Sequence, residues 1–130
     1  MTTVEAPALV LTEPLSLWGG VDPRSGRIVD VHHPQRGASS AGRVVVMPSG
    51  RGSSSSASVL AEAARAATAP AAIVLREPDL ILSLGAAVAE ELYGVGIPIA
   101  VVPIPPPGIV DGDILRVAPN GTVDVVRDGA

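Results

Sequence analysis

Residues 43–67 read RVVVMPSGRGSSSSASVLAEAARAA. Three kinds of sequence follow one another there. Arg43-Val44-Val45-Val46-Met47 is an apolar run of strand length without the alternation that marks a strand with one wet face, so it predicts a strand buried on both sides. Pro48 ends it. Residues 49–56 are glycine and serine around one arginine. From 57 to 67, Val59, Leu60, Ala63, Ala64 and Ala67 recur at helical spacing, with Glu62 and Arg65 turned outward. Ser54, Ser55 and Ser56 are each N-cap candidates. Buried strand, Gly/Ser turn, helix is half of a β-α-β unit, and it sets the fold class as α/β.

The flanks continue the pattern. Residues 71–75 form a second buried-type strand, 79–92 a second helix and 97–102 a third strand. Pro78 starts the second helix and Gly94 stops it, while Gly85 weakens it. Strands at 114–117 and 122–126 flank Pro119-Asn120-Gly121, a strong hairpin signal. Upstream, 15–18 and 27–31 read as a hairpin around Asp22-Pro23-Arg24-Ser25-Gly26, and residues 1–8 as a loose start. The expectation is a single domain over 1–130: a mixed barrel or sandwich with helices packed outside.

Composition narrows the chemistry. The chain is 47% hydrophobic with one Trp, one Tyr and no Phe, so its core is aliphatic; Trp18 is expected in it, with a partner-facing anchor as the alternative. All nine basic residues are Arg, net charge is −4 and no basic cluster exists, which argues against nucleic acid. Without Lys there is neither a Schiff-base lysine nor a P-loop. Without Cys there is no thiol catalysis and no thiolate-held cluster or zinc in this chain. No apolar run reaches membrane length, and the first residues lack a signal-peptide pattern, so a cytoplasmic location is expected.

The richest candidate is the segment Gly50-Arg51-Gly52-Ser53-Ser54-Ser55. Glycines let a ligand approach the backbone, helix-start N–H groups favour anions, and Arg51 adds bidentate carboxylate recognition. A plain Gly/Ser loop with a helix cap fits the same residues. A serine-hydrolase elbow is absent, and both histidines precede the segment. His32 and His33 are adjacent, which suits joint metal ligation poorly. His33 is a tentative substrate contact, beside the simpler reading of a turn residue before Pro34.

As an ordered set, Leu17-Trp18-Gly19-Gly20-Val21-Asp22-Pro23, Gly26-Arg27-Ile28-Val29-Asp30, His32-His33-Pro34, Gly42-Arg43-Val44 and the 48–55 segment resemble the small subunit of the aconitase X family. Residues 71–75, Leu84-Gly85-Ala86 and Glu91-Leu92-Tyr93-Gly94 extend the likeness, which runs from about Pro14 to about Val126. The resemblance implies a swivelling β/β/α-barrel domain and a hydro-lyase that removes water from a small anionic substrate. It implies a large-subunit partner whose cysteines hold an iron–sulfur cluster, with no cofactor bound by this chain. The aconitase pattern Gly-x-Gly-Ser-Ser lands on Gly50-Arg51-Gly52-Ser53-Ser54 and makes Ser53 the catalytic base. Gly50, Arg51, Gly52, Ser54 and Ser55 are then the substrate contacts. Where other aconitases continue with an arginine and an acidic residue, this chain has Ser55-Ser56. The Ser-rich loop and His-His-Pro favour cis-3-hydroxy-L-proline as substrate, with mevalonate 5-phosphate second. A non-catalytic binding or regulatory module on the same fold is the alternative of another class.

Overall fold

The computed structural model describes residues 3–50, 55–102 and 109–126. The valine run is a strand, β2 (Val44–Val46). Around it stand β1 (Val4–Val10), β3 (Ala72–Leu75), β4 (Ile99–Val101), β5 (Ile114–Val117) and β6 (Val123–Val126). Their order across the sheet is β4-β3-β2-β1-β5-β6. The first four strands in chain order run parallel, in registers such as Ala8↔Val44, Val45↔Ile73 and Val74↔Ala100. The β5–β6 hairpin adds antiparallel to β1. The mixed sheet curls into half a barrel with helices against it. The helices are a single turn α1 (Leu17–Gly20), α2 (Ser56–Arg65) and α3 (Leu80–Tyr93). No helix among the described residues is long and apolar enough to cross a membrane.

The unbroken apolar runs have a direct cause. Successive side chains of a strand point to opposite faces, and both faces are covered. Leu9, Val45, Ile73 and Leu75 join Val59, Leu60 and Leu82 of the helices in one core cluster. Ala8, Val44, Ala72 and Val74 join Leu115 and Val117 on the curled face.

Two expectations are corrected at the N-terminal end. Residues 4–8 are not a loose start: they belong to β1, an inner strand between β2 and β5. Glu5 and Pro7 hide this in the sequence, but Glu5 lies on an exposed position and pairs with Arg116, and Pro7 stands just ahead of the first parallel partner, Ala8. The upstream hairpin is reduced to isolated bridges, Val21↔Ile28 and Arg27↔Ser39, while Leu15 bridges Gly50 instead. Trp18 is not in the core: it is 59% exposed on the α1 turn, where Trp18 and Gly19 leave helical geometry.

Both long helices follow the sequence closely. Asp79 caps α3, its side chain accepting from the Leu82 N–H at 3.0 Å, and Gly94 closes the helix with φ 67°. The Glu62–Arg65 pair lies on the outer face of α2; the Arg65 hydrogen bond holds the Glu62 carboxyl below its usual range.

Gly85, which weakens α3 as an isolated helix, is where α2 and α3 touch. A Cβ there would lie 2.9 Å from the Ala57 carbonyl oxygen and 3.0 Å from its Cα. Alanine is the better helix former by about 1 kcal/mol, but here it forces the helices apart. Gly85→Ala is expected to lower the unfolding free energy by about 1–3 kcal/mol. Urea unfolding followed by circular dichroism checks it; a midpoint at or above wild type would show that the helices are not in contact at this position.

Candidate functional site

The parallel strands all end on one side of the sheet, and a cavity of about 350 Å³ opens there. Val10, Val46, Val74, Val102 and Ile109 line it and continue the core of the curled face. Leu11, Met47 and Leu75 add further apolar wall, and Thr12, Pro48 and Arg76 complete it. Backbone pairing runs past the strands and stiffens the rim. Leu11 N–H donates to Val46 O at 2.8 Å, Met47 N–H to Val74 O at 3.1 Å, and Val102 N–H to Leu75 O at 2.7 Å. Ligands of open parallel sheets sit outside these carboxyl ends.

The Ser-rich segment starts at this rim, because Pro48-Ser49-Gly50 leaves the end of β2. Of its predicted site residues, Arg51, Gly52, Ser53 and Ser54 lie outside the described residues. Gly50 and Ser55 bracket them. Gly50 is pinned by its bridge to Leu15 and lies against the head of α3, where a Cβ would overlap Asp79 Oδ2 and sit 3.3 Å from Leu82 Cδ1. Ser55 stands at the N-cap position of α2, in helical backbone geometry, and its side chain does not cap the helix. The next residue, Ser56, is buried and accepts from the Trp18 N–H at 3.3 Å. One end of the segment is therefore tied to α3 and the other to the α1 turn.

His33 lies in the turn region before Pro34. It is buried, with Nε2 3.2 Å from the Glu13 carbonyl oxygen and Nδ1 accepting from the Gln35 N–H at 3.0 Å. The tautomer protonated on Nε2 satisfies both bonds. Neither ring nitrogen is left over for a substrate.

Arg76 and Asp79 are the site features that sequence reasoning missed. Arg76 belongs to no recognisable motif. Its position directly after a buried strand was the available signal, since that is where a parallel sheet presents side chains to ligands. The approach of Asp79 to Gly50 had no sequence signal, because it depends on how α3 docks.

Comparison with known proteins agrees with this architecture. The family model described as the aconitase X swivel domain matches residues 1–125. Over 86 residues, 66% of this chain, the sequence is 58% identical to cis-3-hydroxy-L-proline dehydratase of Pseudomonas aeruginosa; the match is 15% of that protein's length. Over 126 residues, 94% of this chain, it is 40% identical to the phosphomevalonate dehydratase small subunit of Methanopyrus kandleri, covering 87% of it. The crystal structure of Thermococcus kodakaraensis aconitase X in its holo-form superposes with a TM-score of 0.83 at 29% identity, over 96% of this chain and 91% of that one.

Two substitutions test the geometry. His33→Ala removes two hydrogen bonds from a buried position and is expected to lower stability by about 1–3 kcal/mol; thermal unfolding at wild-type temperature would contradict it. Gly50→Ala should destabilise through Asp79. In a double-mutant cycle with Asp79→Ala the two losses should fall short of additivity by at least roughly 0.5 kcal/mol, and strict additivity would show that the two residues do not meet.

Proposed function

The chain belongs to the aconitase X swivel-domain family, and from that premise we propose that it is the small subunit of a cytoplasmic hydro-lyase that eliminates water from cis-3-hydroxy-L-proline. The observation that carries this reading is the cavity at the strand ends, whose lining includes Met47 and Pro48, the residues from which the chain leaves β2 towards the Ser-rich sequence. The 58% identity to the Pseudomonas dehydratase supports that substrate. The match along most of the Methanopyrus small subunit keeps mevalonate 5-phosphate as the second reading.

In this reading Ser53 is the base. The Gly-x-Gly-Ser-Ser pattern at 50–54 supports the assignment. As an alkoxide, Ser53 takes the proton from the carbon that bears the substrate carboxylate. The released electron pair forms the carbon–carbon double bond and the hydroxyl on the next carbon leaves as hydroxide; with the proton that Ser53 then gives up it makes one water, and the alkoxide is restored. Serine is a very weak base, so its alkoxide needs stabilising charge. The free N–H groups at the start of α2 and the Arg51 side chain are the candidates for that work, with Gly50, Gly52, Ser54 and Ser55 shaping the approach.

The chain has no cysteine, so in this reading thiolates of the large subunit hold the iron–sulfur cluster. Exposed apolar groups on this chain suit such a partner: Trp18 is 59% exposed beside the head of α2.

Co-expression with a cluster-binding large subunit provides the test. The complex should dehydrate cis-3-hydroxy-L-proline in preference to mevalonate 5-phosphate, and Ser53→Ala should lower kcat by roughly 10²–10⁴-fold while the complex still assembles. Full activity of Ser53→Ala would refute the base assignment. An assembled wild-type complex that dehydrates neither compound would favour the non-catalytic module.

A further inference from the structure

We infer that Arg76 holds the substrate's carboxylate in the strand-end cavity. The inference rests on the dehydratase reading for the identity of the ligand, and on geometry for the site. Arg76 is the sole ionisable residue among the described residues lining the cavity, and the walls around it are aliphatic. Among the described residues Arg43, Arg65 and Arg116 are in ion pairs, whereas Arg24, Arg27, Arg36 and Arg76 have no ion-pair partner, and of these four Arg76 is the one that lines the cavity. Its backbone is fixed, the N–H donating to Pro48 O at 3.2 Å. That bond sets Arg76 opposite the residue from which the Ser-rich segment departs.

Charge matching selects the ligand group. One guanidinium neutralises a monoanion and grips a carboxylate through two parallel N–H···O bonds. A phosphate monoester carries about −1.5 to −2 at neutral pH and would keep much of its charge uncompensated against these walls. Both candidate substrates bear a carboxylate on the carbon that gives up its proton. When that proton leaves, negative charge spreads onto the carboxylate oxygens. Arg76 is exposed at the mouth of the cavity, and a guanidinium there steadies the charge as it develops. Arg76 then serves both substrates alike, and the discrimination between them lies elsewhere.

The test uses the two-subunit complex and L-proline, which has the carboxylate but no hydroxyl to lose. Isothermal titration should show L-proline binding to wild type, at least tenfold weaker binding to Arg76→Gln, and partial recovery in Arg76→Lys. With the substrate that wild type dehydrates, KM should rise at least tenfold in Arg76→Gln. Unchanged L-proline binding and KM in an assembled Arg76→Gln complex would overturn the inference, as would a fall in kcat alone. Inorganic phosphate displacing L-proline at lower concentration than acetate does, in wild type but not in Arg76→Gln, would overturn the carboxylate assignment. The two readings fail separately. A complex that binds L-proline through Arg76 yet dehydrates nothing refutes the dehydratase reading and leaves the site. A complex that turns over substrate with KM indifferent to Arg76 refutes only the site.

Discussion

Val44 and Val45 are adjacent, point in opposite directions and are both almost fully buried, at 0% and 3% exposure. That two-sided burial of β2 is the constraint from which the rest of the structure follows. It demands helices on one face and further sheet on the other, which the α2–α3 pair and the β5–β6 hairpin supply. It also aligns β2 with its parallel neighbours, so that their carboxyl ends open on a single rim. Pro48 and Arg76 reach that rim because the strands beneath them cannot shift register without bringing apolar side chains into water.

The centre of the fold was legible because its signals are local. A run of β-branched residues, a helical repeat and a glycine stop each report on neighbours a few positions away. The ends of the fold were less so. β1 carries Glu5 and Pro7, residues that argue against an inner strand, and only the pairing with β5, more than a hundred residues downstream, explains them. Trp18 misled for the opposite reason: ring size suggests burial, but the positive φ of 75° at Gly19 belongs to a turn that holds the indole outside.

The candidate site divides the same way. The pattern at 50–54 is contiguous, so sequence could single it out, and the proposal of Ser53 as the base comes from the resemblance alone. The described lining of the cavity comes from residues 10–12, 46–48, 74–76, 102 and 109, which no single window contains. Arg76 and Asp79 become meaningful once α3 and β3 are placed beside β2. His33 shows how little residue type settles on its own, since the same imidazole that invites a catalytic reading is used to tie Glu13 to Gln35.

The curled face is paved with small side chains: Ala6, Ala8, Ala72 and Ala100 lie there beneath Leu115 and Val117. Val44 and Val74 share that face, and the alanines beside them leave room for the sheet to bend inward. This gives the aromatic-poor composition a structural sense: a phenyl ring in place of one of these alanines would flatten the curve and fill the space above the strand ends. Attempts to make this chain more stable by enlarging its interior should therefore begin in the helix-facing layer, since added volume on the other side would be gained at the expense of the cavity.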